Sequence, residues 1–283
     1  MKKILLLGAN GQLGKALNKE FSSDFEIKAL AKEELDITNS AVVEKICAEF
    51  QPDLMLNAAA YTAVDQAESE RDLAMQINGE AVGKLAEVCK KIGTKLIHFS
   101  TDYVFDGENA AGYPEDAEAN PVNFYGESKL AGEKAIIASG CNFAIIRTSW
   151  LFGDGQNFVK TMLRLAESHP EIKVVADQTG CPTYTVDLAQ TTRKIILNCH
   201  SREGGNPKSK DIFHVTNSRS TTWADFARKI FELKKLPTKV ISITTEEYPT
   251  PARRPKNSVL LNTKLPALRS WEEALAEFID SGL

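Results

Sequence analysis

Ile4-Leu-Leu-Leu-Gly8-Ala-Asn-Gly11-Gln-Leu-Gly14 sets a short apolar run directly against three glycines spaced three apart. An apolar run bounded by glycine fits a central parallel strand buried on both faces. The spacing differs from the commoner G-x-G-x-x-G but meets the same needs: a tight turn, backbone approach to a pyrophosphate, and close packing of helix on strand. The helix expected over Gly11 to Phe21 points its N-terminal amides at the phosphates. The stretch therefore predicts an α/β fold with a Rossmann-type doubly wound parallel sheet and a dinucleotide at Gly8, Gly11 and Gly14.

The second strand, Glu26 to Ala31, ends where many NAD-binding proteins carry an acidic residue for the adenosine ribose. This chain has Ala31-Lys32 there, which tolerates a 2′-phosphate and favours NADPH, with NADH open and a solvated loop charge as the plain alternative for Lys32. Asp36-Ile37 fits either the edge and face of an adenine or, for Asp36, a cap before a helix over Ser40 to Phe50. A third strand over Asp53 to Asn57 runs into Ala58-Ala59-Ala60, whose small side chains admit a ligand, and then into Tyr61, Thr62 and Ala63 at the ligand-binding edge. Thr62 with Asp65 matches a helix-capping pattern, which makes Asp65 and Glu68 structural. Asn78 lies in the next helix, which runs to Lys91, and has no assigned role.

Lys95 to Thr101 reads as a fourth strand delivering Ser100, Thr101 and Asp102 to the same edge, with His98 a satisfied sheet residue. Val104 to Pro121, rich in Gly, Pro, Asp and Glu, reads as a loop that is mobile until substrate binds. Tyr125-Gly-Glu-Ser-Lys129 then places a phenol and an ammonium four residues apart, on one helix face. A free tyrosine loses its proton near pH ~10, and an adjacent cation favours phenolate, so Lys129 is expected to bring Tyr125 towards useful proton exchange. By itself the pattern also fits an ordinary exposed helix start. A hydroxyl at the end of the fourth strand and the tyrosine together provide two donors for one carbonyl oxygen.

A fifth strand over Phe143 to Arg147 leads to Trp150, which either stacks on a sugar or base or lids the core. Beyond it the strand and helix alternation weakens. Residues 1–150 are expected to form the dinucleotide domain and residues 151–283 mainly a smaller lobe, with some segments returning to the sheet. Phe158 to Glu167 and Thr222 to Lys234 read as helices, and Ile212 to Val215 as a strand holding His214. Asp177 to Thr183 is a polar turn able to face a ligand, and Ser201 to Lys210 is expected to be a mobile surface excursion. Arg253 and Arg254, beside prolines, either clamp a diphosphate or form a solvated basic loop.

The chain of 283 residues is 43% hydrophobic and 25% charged, with a formal net charge of −4, so no nucleic-acid partner is expected. Cys47, Cys89, Cys141, Cys181 and Cys199 are scattered and lack a C-x-x-C pair, which predicts free thiols in a reducing compartment and no zinc site. Met1-Lys2-Lys3 starts like a signal peptide, but Asn10 and Gln12 interrupt the apolar run, and no stretch reaches the ~18 apolar residues of a membrane helix. A cytoplasmic protein without a membrane partner is expected.

The glycine turn, Leu35-Asp-Ile-Thr38, Asn57-Ala-Ala-Ala-Tyr-Thr-Ala-Val-Asp65, Ser100-Thr-Asp-Tyr-Val-Phe-Asp-Gly107, Tyr125-Gly-Glu-Ser-Lys129, Arg147-Thr-Ser-Trp150 and Asp177-Gln-Thr-Gly-Cys-Pro-Thr183 together resemble the dTDP-4-dehydrorhamnose reductases, a family of extended short-chain dehydrogenases. The resemblance runs nearly end to end, through Arg254-Pro-Lys-Asn-Ser258 and Asn262-Thr263. It implies reduction of the C4 ketone of dTDP-4-dehydro-β-L-rhamnose by a nicotinamide cofactor, with a smaller C-terminal substrate-binding lobe. It further implies Tyr125 as proton donor, Thr101 on the carbonyl oxygen, and Lys129 on the nicotinamide ribose while lowering the tyrosine pKa. Gly11, Gln12 and Leu13 would line the pyrophosphate, Asp36 and Ile37 the adenosine, Ala60, Tyr61 and Thr62 the inner ribose, and Asp102 and Trp150 the sugar nucleotide.

Members that dimerise through magnesium carry glutamates just after the third glycine and near the C-terminal Asn-Thr. This chain has Lys15-Ala16 and Lys264 there, so no magnesium-bridged dimer is expected and the oligomeric state is open. Two alternatives share the fold: another nucleotide-sugar epimerase or reductase, and a regulatory subunit resembling the accessory subunit of eukaryotic methionine adenosyltransferase. Tyr103 stands where dehydratases carry an acidic residue, which speaks against dehydration.

Overall fold

β1 (Lys3–Leu7) has the alternation of a strand covered on both sides: Ile4 and Leu6 enter one core cluster, Leu5 and Leu7 the other, and none is more than 1% exposed. A computed structural model describes residues 1–198 and 210–282. Gly8 turns the chain at φ +78°, and α1 (Gln12–Phe21) starts from Gly11. A Cβ on Gly8 would lie 2.6 Å from the Ala59 nitrogen, and one on Gly14 would lie 2.1 Å from the Gly8 carbonyl oxygen. Strand, turn and helix meet this closely only because both positions are bare.

β2 (Glu26–Leu30) is followed by α2 (Ser40–Phe50), whose cap is Asn39, its side chain accepting from the Val42 amide. β3 (Leu54–Asn57) leads to α3 (Arg71–Met75), then through a π turn at Gln76–Glu80 into α4 (Ala81–Ile92). β4 (Lys95–Thr101), α5 (Phe124–Ser139) and β5 (Asn142–Thr148) complete the first half. The second half contains β6 (Leu151–Phe152), α6 (Phe158–Ala166), β7 (Glu171–Val175), β8 (Thr179–Gly180), β9 (Thr183–Tyr184) and α7 (Thr185–Asn198). It continues with β10 (Asp211–His214), β11 (Thr221–Thr222), α8 (Trp223–Leu233), β12 (Lys239–Ile243) and α9 (Trp271–Asp280).

Six parallel strands form the main sheet in the order β2-β1-β3-β4-β5-β10. Leu13, Leu17 and Phe21 of α1 share one core with Leu188 and Ile195 of α7, while α2, α4 and α5 contribute Val43, Leu85 and Ile136 to the core on the other face. The sheet is therefore doubly wound. Its order reverses between β1 and β3, which opens a crevice beyond their C-terminal ends. The smaller C-terminal region has its own core of Phe152, Val159, Met162, Phe226, Trp271 and Phe278, with β7 paired parallel to β12. β10 and α7 return to the main sheet from that half.

Two expectations change. Asp65 makes no side-chain cap for the short turn Gln66–Glu68; it accepts from the Ala252 amide and pairs with Arg254 at 2.9 Å, because the basic loop passes beside it. The segment after Val104 is packed rather than loose: Phe105 stacks on Tyr113 at 4.3 Å, and both join Val104, Leu130 and Leu260 in a small core. Cys47, Cys89, Cys141 and Cys181 are free and buried. The expected excursion over Ser201 to Lys210 lies, except for Lys210, outside the described residues, as does Cys199. Among the described residues no helix is long and apolar enough to cross a membrane.

Gly14→Ala forces the Gly8 carbonyl or the whole helix to move. It should lower stability by roughly 1–3 kcal/mol, the usual cost of overpacking, with a matching fall in thermal midpoint and unchanged far-ultraviolet circular dichroism.

Candidate active site

The crevice beyond β1 and β3 is a cavity of about 370 Å³ whose walls include Gly8, Gly11, Lys32, Asp36, Ile37, Ala60, Tyr61 and Thr62. The first turn of α1 carries no acidic residue and Gly11 supplies no side-chain cap, so the helix brings only its amides and its positive end to the turn. Leu13 is buried in the core and the side-chain oxygen Oε1 of Gln12 accepts from Asn157 Nδ2 at 3.2 Å, which leaves their backbone as the part of both residues able to meet an anion at the turn. Gly14 serves packing against Gly8, as its bare Cα requires. Asp36 is not the helix cap: its Oδ1 accepts from the Thr38 amide at 2.9 Å and the Thr38 hydroxyl at 2.8 Å, and these bonds hold its carboxyl below the ordinary range. Asn78, on the π turn, donates to the Tyr61 carbonyl and to Ser128 Oγ and accepts from the Tyr61 amide, which clamps the Ala60–Thr62 wall in place. These features fit a dinucleotide: bare backbone at the turn, small residues opposite, and a cation at the outer wall, where the exposed Glu33 also stands.

Thr101 ends β4 and Tyr125 lies in the first turn of α5. Gly126 lets the helix start press against the Tyr103 carbonyl, from which a Cβ would be only 2.1 Å away. Asn123 caps α5 by accepting from the Gly126 amide, and Glu68 accepts from the Phe124 amide. Thr101 donates to Asp102 Oδ1 at 3.0 Å and accepts from the Tyr103 amide. Burial pushes the Tyr125 phenol up to about 12, with a hydrogen bond to Thr101 acting against it and the Asp102 charge acting with it.

Lys129, 2% exposed, turns its ammonium away to the sheet, donating to the Phe99 carbonyl at 2.7 Å and lying 3.3 Å from His98 Nε2. Burial brings it down to about 8 against the pull of Glu133. The expected lowering of the Tyr125 pKa by Lys129 is not found, since burial moves the phenol the other way. The two residues lie four apart on α5, yet what moves them is burial, with Thr101 and Asp102 acting on the phenol and Glu133 on the lysine.

Asp102 is 3% exposed; burial raises its carboxyl to about 6 despite hydrogen bonds from Ser258 and Thr101, and Oδ2 has no partner. Beside it, Tyr103 packs edge-on against Tyr125 at 5.8 Å and forms part of the wall of a second cavity of about 470 Å³. That cavity is faced by the apolar side of the C-terminal region, including Phe158, Met162, Val174 and Trp223, and by Gln178, Asp65 and Arg254. Trp150, held at φ +46°, stacks on Trp223 at 3.5 Å and lies against Gly180, behind the cavity wall. Arg253 instead pairs with Glu108 on the surface.

A family model described as the RmlD substrate binding domain matches residues 1–283. The chain belongs to the RmlD family. Within it, the chain is 40% identical over 272 residues to a dTDP-4-dehydrorhamnose reductase of Burkholderia thailandensis, covering 93% of this chain and 91% of that one. It is 41% identical over 285 residues to the spore coat polysaccharide biosynthesis protein SpsK of Bacillus subtilis, covering 99% and 97%. Among solved structures it is similar to a dTDP-4-dehydrorhamnose reductase of Clostridium acetobutylicum, with a TM-score of 0.93 and 44% identity over 99% of each chain. It is also similar to the Bacillus anthracis reductase in complex with NADP, with a TM-score of 0.92 and 40% identity over 99% of this chain and 100% of that one.

In this RmlD-family chain, sequence reasoning missed Phe158, Met162 and Trp223 as cavity walls, because helical spacing marks them only as core. It also missed the contact of His98 with Lys129, since a histidine inside a strand gives no sign of what crosses beneath it. The Asp102 carboxyl carries a pH signature. Its folded pKa of about 6 exceeds the ordinary 3.8, so its contribution to stability is full below 3.8 and is lost as pH rises through about 6. That loss is on the order of 2–3 kcal/mol. Asp102→Asn, which cannot ionise, should therefore gain stability over the parent above about pH 7 and lose that gain near about pH 4. Urea unfolding at the two pH values measures it.

Proposed function

We propose that the chain reduces the C4 ketone of dTDP-4-dehydro-β-L-rhamnose to dTDP-L-rhamnose with a reduced nicotinamide cofactor, the final step of dTDP-L-rhamnose biosynthesis. The observation that carries the assignment of roles is the placement of Tyr125 in the first turn of α5, edge-on to Tyr103 and near enough to Thr101 at the end of β4 to feel its hydroxyl, beside a dinucleotide-shaped crevice and an apolar second cavity. The bound cofactor supplies the hydride. Tyr125 donates its phenolic proton to the carbonyl oxygen, and Thr101 donates to the same oxygen and orients it. A phenol that burial keeps protonated suits a proton donor in the reducing direction. Lys129 would bind the nicotinamide ribose once its ammonium leaves the Phe99 carbonyl on which it lies.

Gly8, Gly11, Gln12 and Leu13 hold the pyrophosphate by backbone, Asp36 and Ile37 the adenosine, and Ala60, Tyr61 and Thr62 the inner ribose. Residues 1–150 act as the cofactor domain and residues 151–283 mainly as the substrate lobe, with Asp102 and Trp150 of the first part contacting or supporting the sugar nucleotide. NADPH is the preferred cofactor, since Lys32 stands at the outer wall and the Bacillus anthracis relative holds NADP. No magnesium bridge between copies belongs to this proposal, because Lys15, Ala16 and Lys264 stand where magnesium-bridged members carry glutamates.

Tyr125→Phe should bind cofactor like the parent while turnover of the keto-sugar falls on the order of 10²- to 10⁴-fold, followed by loss of reduced nicotinamide absorbance. Equal turnover would remove Tyr125 as donor. Lys32→Ala should raise KM for NADPH roughly five- to tenfold and leave KM for NADH in place; parallel changes with both cofactors would remove Lys32 as the selector.

A further inference from the structure

Asn57, His98 and Lys129 form a buried file that the proton-donor pair does not use; the first two are 0% exposed and the lysine 2%. The Ala59 amide donates to Asn57 Oδ1 at 3.2 Å, Asn57 Nδ2 lies 3.1 Å from His98 Nδ1, and His98 Nε2 lies 3.3 Å from Lys129 Nζ. The first member sets the polarity of the rest. A backbone amide only donates, so the oxygen of Asn57 faces Ala59 and its NH2 faces the imidazole. An amide NH2 also only donates, so Nδ1 accepts and the proton of a neutral ring sits on Nε2, aimed at Lys129. An ammonium offers no lone pair, so Nε2–H and the charged lysine oppose each other, whereas a free amine accepts from Nε2–H.

We infer that His98 is a positioning residue that stabilises the deprotonated form of Lys129 by donating Nε2–H to its amine. Its catalytic consequence rests on the reductase function proposed above. As hydride from the reduced nicotinamide reaches the carbonyl carbon, the Tyr125 proton goes to the carbonyl oxygen, which becomes the product hydroxyl. The phenolate regains a proton from the Lys129 ammonium, the resulting amine accepts from His98, and solvent later restores the ammonium. Without His98 that amine would be a buried acceptor lacking a donor.

The groups facing Lys129 act on it in known directions. From α5, Glu133 favours the cation but is itself engaged by Arg147 of β5 at 2.6 Å, and Tyr125 lies one turn back. From β4, the Phe99 carbonyl accepts from Nζ in either protonation state, and His98 opposes the cation. Lys129 stands at about 8, and burial together with Lys129 keeps the His98 ring neutral.

Nitrogen-15 NMR of the full chain reads the tautomer directly. The expected result is a neutral His98 protonated on Nε2; protonation on Nδ1, or an imidazolium, overturns the inference without any variant. Asn57→Asp supplies a carboxylate that accepts from both Ala59 and Nδ1–H, turning Nε2 into an acceptor for the ammonium. That variant should move the tautomer to Nδ1–H and shift the alkaline limb of the kcat profile upward by about one pH unit, with KM little changed. Either change without the other, or neither in a folded variant, overturns the role. If the parent consumes no reduced nicotinamide with the keto-sugar, the reductase function fails instead, and the tautomer still decides the polarity of the file.

Discussion

The buried bond from Lys129 Nζ to the Phe99 carbonyl, 2.7 Å long, fixes helix α5 on strand β4. One turn further, Glu133 meets Arg147 of β5 in an ion pair with both side chains at most 4% exposed. Buried pairs of this kind add little net stability, because desolvation of both charges consumes most of the attraction. What they do is punish any other rotation of the helix, since a turned helix would leave charged groups buried and alone. With residues 129 and 133 anchored, Tyr125 has one direction left, towards Thr101 at the end of the neighbouring strand.

The second half packs α7, β10 and Leu260 onto the apolar cores of the first, and polar contacts add to that seam around the cleft. Asp65 holds Arg254, Asn123 donates to the Arg253 carbonyl at 2.8 Å, Asn157 reaches Gln12, and Lys15 pairs with Asp154. Exposed pairs such as Lys15 with Asp154 contribute well under about 1 kcal/mol each. The C-terminal region, by contrast, is internally firm, with Phe152, Tyr184, Phe226, Trp271 and Phe278 in mutual ring contact. A firm lobe with polar, rearrangeable contacts at its rim suits a cleft that must admit a large ligand.

Much of the main sheet was readable because its signals are local. The run Ile4 to Leu7, the glycines that follow, and the strand over Lys95 to Thr101 each reveal their burial by periodicity alone. The helix over Ser40 to Phe50 was legible too, but its cap was not: Asp36 was the residue considered, whereas Asn39 supplies the cap and Asp36 is already occupied by Thr38. Burial of charge is what a sequence conceals. Nothing in Tyr125-Gly-Glu-Ser-Lys129 tells that the lysine will turn beneath the sheet towards His98, so the effect expected on the phenol was opposite to the one found. The packed segment around Phe105 and Tyr113 was hidden for a similar reason, since its partner Leu260 lies far along the chain.

Of the three tryptophans in the chain, Trp150 and Trp223 lie face to face, with planes 10° apart, and Trp223 borders the second cavity. Two indoles at that separation share their electronic excitation, so the pair works as a built-in optical gauge. Any rearrangement of the lobe that slides one ring over the other alters ultraviolet emission and exciton ellipticity without an attached dye, and the backbone strain at Trp150 keeps the gauge at a defined zero.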